Sequence, residues 1–315
     1  MSHRLKTCGA AAVLLLLLTL LSSCGQPTVP NETATDYNQY IPSHGVTAYT
    51  KDLYIFFDSG RLFYVGRSQP SQLSPLCFQA DCDHKNSSCT AWLNTPSRSI
   101  YAAGDNLYYI DADKDAKPAL YRMDLSGGGR ELVKSLNILN EESWPGISSL
   151  GYSFRVYGSY LAIELNLLQE DSWQHKIYLT GIDRKDEGVF LFGEEGDSDK
   201  SYIAIEFREN WLFVTEKNAA DGTNTLWGYN FSTQEAVPLV EDWDISNCFT
   251  VQDGILYWAV TGDGVYSMDM EKKSVTKHRS FDPVLEYGAA AYDDQYLYLT
   301  NAIRYMDSQG TVPAE

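Results

Sequence analysis

One unit repeats along this chain, and a unit that cannot bury its own faces forces its copies to stack. The clearest copy runs from Ile100 to Leu132. Ile100 to Ala103 is short and apolar. Gly104-Asp105-Asn106 follows as a turn, because Gly and Asn accept positive φ and Asp and Asn close Asx-turns. Leu107 to Ile110 is rich in Tyr, which suits a half-buried pleated surface. A polar loop spans Asp111 to Pro118. From Ala119 to Leu125 the residues alternate: Ala119, Tyr121, Met123 and Leu125 share one face, Arg122 and Asp124 the other. Leu120 interrupts the pattern by falling on the polar face. Ser126 to Gly129 turns the chain, and Arg130 to Val133 begins a fourth strand.

Weaker copies recur. They begin at Lys51-Asp52-Leu53-Tyr54-Ile55, Tyr157-Gly158-Ser159-Tyr160-Leu161, Asn210-Trp211-Leu212-Phe213-Val214, Gly254-Ile255-Leu256-Tyr257-Trp258 and Gln295-Tyr296-Leu297-Tyr298-Leu299. The step is 54 residues from Leu53 to Leu107, 44 from Leu212 to Leu256 and 41 from Leu256 to Leu297. Four short strands every ~40–50 residues are the signature of a propeller blade. The expected fold is therefore all-β, a β-propeller of four-stranded antiparallel sheets, with six blades. The last copy, ending at Ile303-Arg304-Tyr305-Met306-Asp307, looks one strand short. Either a strand near Val46 to Thr50 completes it, or the sequence stops before its last strand.

The segment from Leu107 to Val133 resembles the YWTD-type repeat of the propellers in low-density-lipoprotein receptors. Leu107-Tyr108-Tyr109-Ile110-Asp111 and Met123-Asp124-Leu125-Ser126-Gly127 carry the likeness, and Leu256-Tyr257-Trp258 is a partial second match. The resemblance implies a six-bladed ring used for binding, and covers blades rather than a functional site.

The N-terminus reads as an export signal, not as part of the fold. Arg4 and Lys6 supply positive charge, Ala10 to Leu21 is apolar apart from Thr19, and Leu21-Ser22-Ser23-Cys24 resembles a bacterial lipobox. In that family the peptide is cut before the Cys, which is then acylated. The alternatives are an ordinary secretory signal or an N-terminal membrane helix, though the apolar run falls short of the ~20 residues a span needs. The expected division is a signal peptide over 1–23, an acylated Cys24 and flexible tether over 24–44, and a single propeller domain over 45–315, on a bacterial membrane and facing outward.

Charge narrows the partners. The full chain carries −18, and removing residues 1–23 takes away Arg4 and Lys6 but no acid, giving −20. Such a surface repels nucleic acid and anionic lipid, so nucleic acid is excluded as the main partner. A monomer is expected, touching the membrane only through Cys24.

One cluster carries sharp chemistry. Cys77, Cys82, His84 and Cys89 follow the spacing C-x₄-C-x-H-x₄-C within thirteen residues. Cys82 and His84, at i and i+2, fall on one side if the segment is extended. Three thiolates and an imidazole form a closed tetrahedral set suited to one structural Zn²⁺. Soft ligands also admit Cu(I) or an iron–sulfur centre. The competing reading is a disulfide among Cys77, Cys82 and Cys89, with Cys248 available for the odd thiol. The segment is similar to a motif of uncharacterised lipoproteins from anaerobic Gram-positive bacteria, matched by Leu76, Cys77, Cys82, His84, Cys89 and Ala91. That likeness implies a built feature without naming an activity.

Other signals are weaker. Asp111, Asp113 and Asp115 alternate as in a calcium loop but lack its Gly and distal Glu, which favours a solvated loop. Gly193 to Lys200 reads as an acidic turn. His44, His175 and His278 are scattered, and no nucleophile elbow is present. Trp144, Trp173, Trp211, Trp227, Trp243 and Trp258 could line a sugar platform or fill a core. Catalytic residues are unassigned. The expected function is a binding module for a protein, peptide or glycan. The alternatives are a surface glycan hydrolase, which needs two carboxylates ~5–10 Å apart, or a metal-binding or redox lipoprotein using the cluster.

Acylation at Cys24 predicts that the full chain partitions into the detergent phase on Triton X-114 separation. Cys24→Ala protein should move to the aqueous phase; persistence in the detergent phase would refute the anchor.

Overall fold

A computed structural model describes residues 47–94, 99–169, 172–183, 188–193, 199–243, 249–260, 263–280, 287–292 and 297–301. The signal and tether (1–44), His44, Cys248, most of the turn from Gly193 to Lys200 and the stretch from Ile303 to Asp307 lie outside the described residues.

The repeat is real in space. The first sheet contains β1 (Thr47–Tyr49), β2 (Leu53–Asp58), β3 (Arg61–Gly66) and β4 (Gln69–Pro75). The second contains β5 (Ile100–Ala103), β6 (Asn106–Ala112), β7 (Pro118–Asp124) and β8 (Glu131–Ser135). The third holds β9 (Ile147–Tyr157), β10 (Tyr160–Gln169), β11 (Ser172–Gly181) and β12 (Val189–Phe192). The fourth holds β13 (Lys200–Arg208), β14 (Trp211–Asn218), β15 (Asn224–Asn230) and β16 (Glu235–Glu241), and the fifth β17 (Phe249–Gln252), β18 (Ile255–Val260), β19 (Gly264–Asp269) and β20 (Ser274–Ser280). β21 (Tyr287–Tyr292) and β22 (Leu297–Asn301) pair as a two-stranded sheet. Each four-stranded sheet is an antiparallel meander, and first strands lie beside first strands: β1 by β5, β5 by β9, β9 by β13. This is a β-propeller.

The leucines that mark the repeat occupy equivalent places. Leu53, Leu107, Leu161, Leu212, Leu256 and Leu297 all lie on the second strand of their sheets. Leu107, Leu161, Leu212 and Leu256 are fully buried. Ser59-Gly60 and Gly104-Asp105 make the tight turns beside these strands, and Gly60, at φ +82, sits where other residues are strained. The strand expected near Val46 to Thr50 pairs with β2 as the innermost strand of the first sheet, through Thr47↔Phe56 and Tyr49↔Tyr54. Its place there, rather than on the last sheet, corrects one of the two expected routes to completing the last blade.

Alternation along each strand divides residues between two seams, because every interior sheet has a neighbour on both sides. In the second sheet Ile100, Ala102, Leu107, Tyr109 and Met123 pack towards the first, with Ala48, Ile55 and Leu62. Tyr101, Tyr108, Ile110 and Leu120 pack towards the third, with Phe154, Leu161 and Ile163. Leu120 therefore does not break the pattern; the face that looked polar is a second core. The fourth sheet repeats the arrangement, with Leu212 and Val214 facing the third and Phe213 facing the fifth. The outer strands β4 and β20 are largely exposed, β20 throughout, whereas β12 is apolar and partly buried, and Pro70, Pro75 and Pro238 withhold donors from three outer-strand positions.

The tryptophans follow the seams. Trp243 and Trp258 are buried in the seam between the fourth and fifth sheets, and Trp211 packs beside them. Trp227 lies against the third–fourth seam and Trp144 against the second–third. Trp173 is largely exposed; the other five lie in or against the seams, as core residues and not as a platform.

The second sheet also contains a buried ion pair. Asp111 has no exposed surface, pairs with Arg130 Nη2 and accepts the amide of Asn94 at 3.2 Å. The guanidinium stacks 4.9 Å from the Tyr121 ring centre and donates to Trp92 O at 3.0 Å. The Asp111–Asp115 stretch is thus not a calcium loop. Asp113 spends its carboxylate on the amides of Asp115 and Lys117, and only this distal part is a solvated turn.

Removing one partner of a buried pair strands the other, so Asp111→Ala should cost about 3 kcal/mol of unfolding free energy in urea. Arg122→Ala, which breaks the exposed pair with Glu131, should cost under about 1 kcal/mol. Equal losses would contradict the assignment of Asp111 to the seam.

Candidate metal centre

Between β4 and β5 the described residues leave the first sheet in a long loop whose β pairing is one isolated bridge, Trp92 to Arg61, and the Cys/His cluster lies on it. The loop is clamped at its base by one residue. Leu62 O accepts the amide of Leu76 at 2.9 Å, and Leu62 N donates to Ala91 O at 2.9 Å. Leu93 N adds a bond to Gly60 O at 3.0 Å. Leu76 and Ala91 are buried in the first–second seam, as are Cys89 and Leu93. Leu76 and Ala91, which flank the ligand positions in the sequence, are therefore the two ends of the loop held against Leu62.

Local turns curl the loop over the seam. Cys82 N donates to Gln79 O at 3.3 Å, Cys89 N to Asn86 O at 3.1 Å and Trp92 N to Cys89 O at 3.0 Å. Asp83 Oδ1 accepts from Lys85 N, and Asn86 Oδ1 from Ser88 N. His84 turns the backbone with φ 55, so the segment from Cys82 to His84 is not extended. The two side chains still converge, by a left-handed turn instead of strand alternation, and Arg61 Nη1 holds that turn by donating to His84 O at 3.1 Å.

The result brings all four residues together. One ligand atom from each of Cys77, Cys82, His84 and Cys89 lies within 4.8 Å of every other. His84 Nδ1 is 3.3 Å from Cys89 Sγ. A tetrahedral zinc site with Zn–S of about 2.3 Å and Zn–N of about 2.0 Å has edges of about 3.5–3.8 Å. The set could hold a metal after a small contraction. None of the three thiols is in a disulfide. Cys89 is buried, and Cys77, Cys82 and His84 are half-buried.

The surroundings suit thiolates unevenly. At Cys77 burial opposes ionisation, but the Thr90 hydroxyl and the amides of Gln79 and Thr90 outweigh it and bring the thiol down to about 6. The Thr90 hydroxyl oxygen is itself buried and has no other partner. At Cys89 burial dominates, and neighbouring Cys77 and Cys82 add to it, pushing the thiol up to about 12. Three thiols this close resist losing all their protons together; a cation among them removes that conflict.

The second sheet backs the loop. A Cβ on Gly127, in the turn after β7, would lie 2.4 Å from Leu76 O, so only glycine allows this approach, and its φ of +84 favours glycine independently. Arg130, held by Asp111, reaches Trp92 O just beyond the last ligand. On the outer side an open cavity of about 550 Å³, lined by Gln79, Ala80, Asp81, Cys82, Asp83 and Ser88, leads to the cluster at Cys82.

Sequence reading found the ligands but missed Leu62, Thr90, Gly127 and Arg130. Of these only Gly127 left a trace, as part of an unusual three-glycine run. The two other histidines among the described residues have other partners. His175 is on β11 with Nδ1 against Asn166 Oδ1, and burial followed by the Lys217 charge holds its pKa below the usual imidazole value. His278 lies on β20, 2.7 Å from Ser267 Oγ.

No family model matches the chain, and no curated protein matches it. Solved structures with similar folds include an oligogalacturonate lyase in complex with manganese, at 12% identity and TM-score 0.45, covering 78% of this chain and 66% of that one. The oligogalacturonate lyase of Vibrio parahaemolyticus is 10% identical at TM-score 0.45, covering 82% and 69%. TolB from Acinetobacter baumannii is 14% identical at TM-score 0.38, covering 77% and 56%. These are likenesses of fold alone.

Proposed function

We propose that this chain is a lipid-anchored β-propeller, facing outward from a bacterial membrane, that acts as a binding module for a protein, peptide or glycan ligand. One structural Zn²⁺, held by Cys77, Cys82, His84 and Cys89, secures its first seam. The observation that carries the metal reading is the convergence of four ligand atoms within 4.8 Å on a loop clamped at both ends. With three thiolates and one imidazole the ion has its full tetrahedral complement, which suits a structural role over a catalytic one. The anchor rests on Leu21-Ser22-Ser23-Cys24 closing an apolar run. Among the described residues no helix is long and apolar enough to cross a membrane. The binding role rests on architecture: successive meanders bring loops from several sheets to common ends. The six-bladed count and the YWTD-like character of the second blade belong to the same proposal.

Full-length protein purified in detergent under anaerobic conditions, without added reductant, should contain one equivalent of zinc. Its removal by a chelator should lower Tm by about 4 °C, the shift expected for a loss of ~2 kcal/mol in a domain of this size. Cys77→Ser and His84→Ala proteins should lack the metal. Metal-free protein whose cysteines stay blocked until reduction would overturn the zinc reading in favour of a disulfide.

A further inference from the structure

The zinc reading and the disulfide reading describe the same atoms, and the geometry allows both in turn. Resting on the zinc site proposed above, we infer that the cluster is a redox switch: a peroxide oxidises Cys82 and Cys77 to a disulfide and expels the metal. Accessibility sets the order of events. Cys82 lines the open cavity of about 550 Å³, whereas Cys89 is buried in the seam and lies 3.3 Å from His84 Nδ1. A small oxidant therefore meets Cys82 first. Cys77 is the half-buried partner, and its sulfur is within 4.8 Å of the Cys82 sulfur.

The chemistry balances with hydrogen peroxide as the oxidant. The Cys82 thiolate attacks one peroxide oxygen and breaks the O–O bond, giving a sulfenic acid and hydroxide. The Cys77 thiolate then attacks the Cys82 sulfur, forming the S–S bond and releasing a second hydroxide. Two thiolates have lost two electrons, and the peroxide has been reduced to two hydroxides, which protonate to water. Zinc is left with Cys89 and His84 and dissociates.

Releasing the metal loosens the loop without dismantling the propeller. The loop's two ends stay bonded to Leu62, and Leu76, Ala91 and Leu93 remain in the core of the seam. The surface that changes is Phe78 to Ser88, where Phe78 is already exposed. An oxidant outside the cytoplasm would thereby reshape one outer surface of an anchored propeller.

The test uses full-length, zinc-loaded protein in detergent and a version carrying Cys8→Ser, Cys24→Ser and Cys248→Ser, so that every thiol change belongs to the cluster. A few equivalents of hydrogen peroxide should release one zinc per chain, read with a chromogenic chelator, as two thiols disappear. Peptide mapping should find Cys77 joined to Cys82 and Cys89 alkylatable. Dithiothreitol with added zinc should restore both the thiols and the metal. Retention of zinc at a hundredfold excess of peroxide would overturn the switch while leaving the zinc site standing. So would release accompanied only by sulfinic or sulfonic acids, and a disulfide that includes Cys89 would overturn its assigned order. Protein that takes up no zinc before oxidation would remove the metal site itself, and the switch with it.

Discussion

Every interior sheet of this protein has to bury two faces, and it can do so only against its neighbours. Side chains alternate along a strand, so adjacent residues serve different seams. Tyr109 packs towards the first sheet and Tyr108 towards the third; Leu212 faces the third sheet and Phe213 the fifth. A seam of aliphatic and aromatic side chains gains roughly 25 cal/mol for each Å² of apolar surface removed from water. No one sheet can collect that gain alone. The stack therefore explains the repeated leucines on second strands, the exposed outer strand of the fifth sheet and the packing of most of the tryptophans in or against the seams.

The first seam carries an extra burden. The connection from β4 to β5 is long and polar at its tip, so ordering it costs conformational entropy that its few apolar side chains offset poorly. Three devices confine it. Leu62 binds both ends through its backbone, Gly127 lets the second sheet approach the Leu76 carbonyl, and the buried Asp111–Arg130 pair grips the chain at Trp92 and Asn94. The tip from Cys77 to Cys89 has only local turns, and there the four ligands meet. The proposed metal would supply there the link that packing leaves out.

Much of this was legible in the residues. The period of the repeat, the turn signals and the C-x₄-C-x-H-x₄-C spacing led to the sheets and to the cluster, because each depends on local sequence. What escaped depends on partners far along the chain. Leu120 looked misplaced until the third sheet supplied its second core, and Asp111 looked like the start of a solvated loop because Arg130, nineteen residues away, was not linked to it. The convergence of Cys82 and His84 was foreseen for the wrong reason: His84 turns the backbone where an extended segment was expected. The strand at Thr47–Tyr49 was found, and the alternative that placed it on the last blade fails because it pairs with β2, a partner invisible in its own sequence.

The most direct test is X-ray absorption at the zinc K-edge on the full-length protein. Three sulfurs at about 2.3 Å and one nitrogen at about 2.0 Å would match the proposed site, for no other four-residue set on this loop offers that shell. A shell of oxygen and nitrogen alone, as from zinc on the acidic surface, would contradict it.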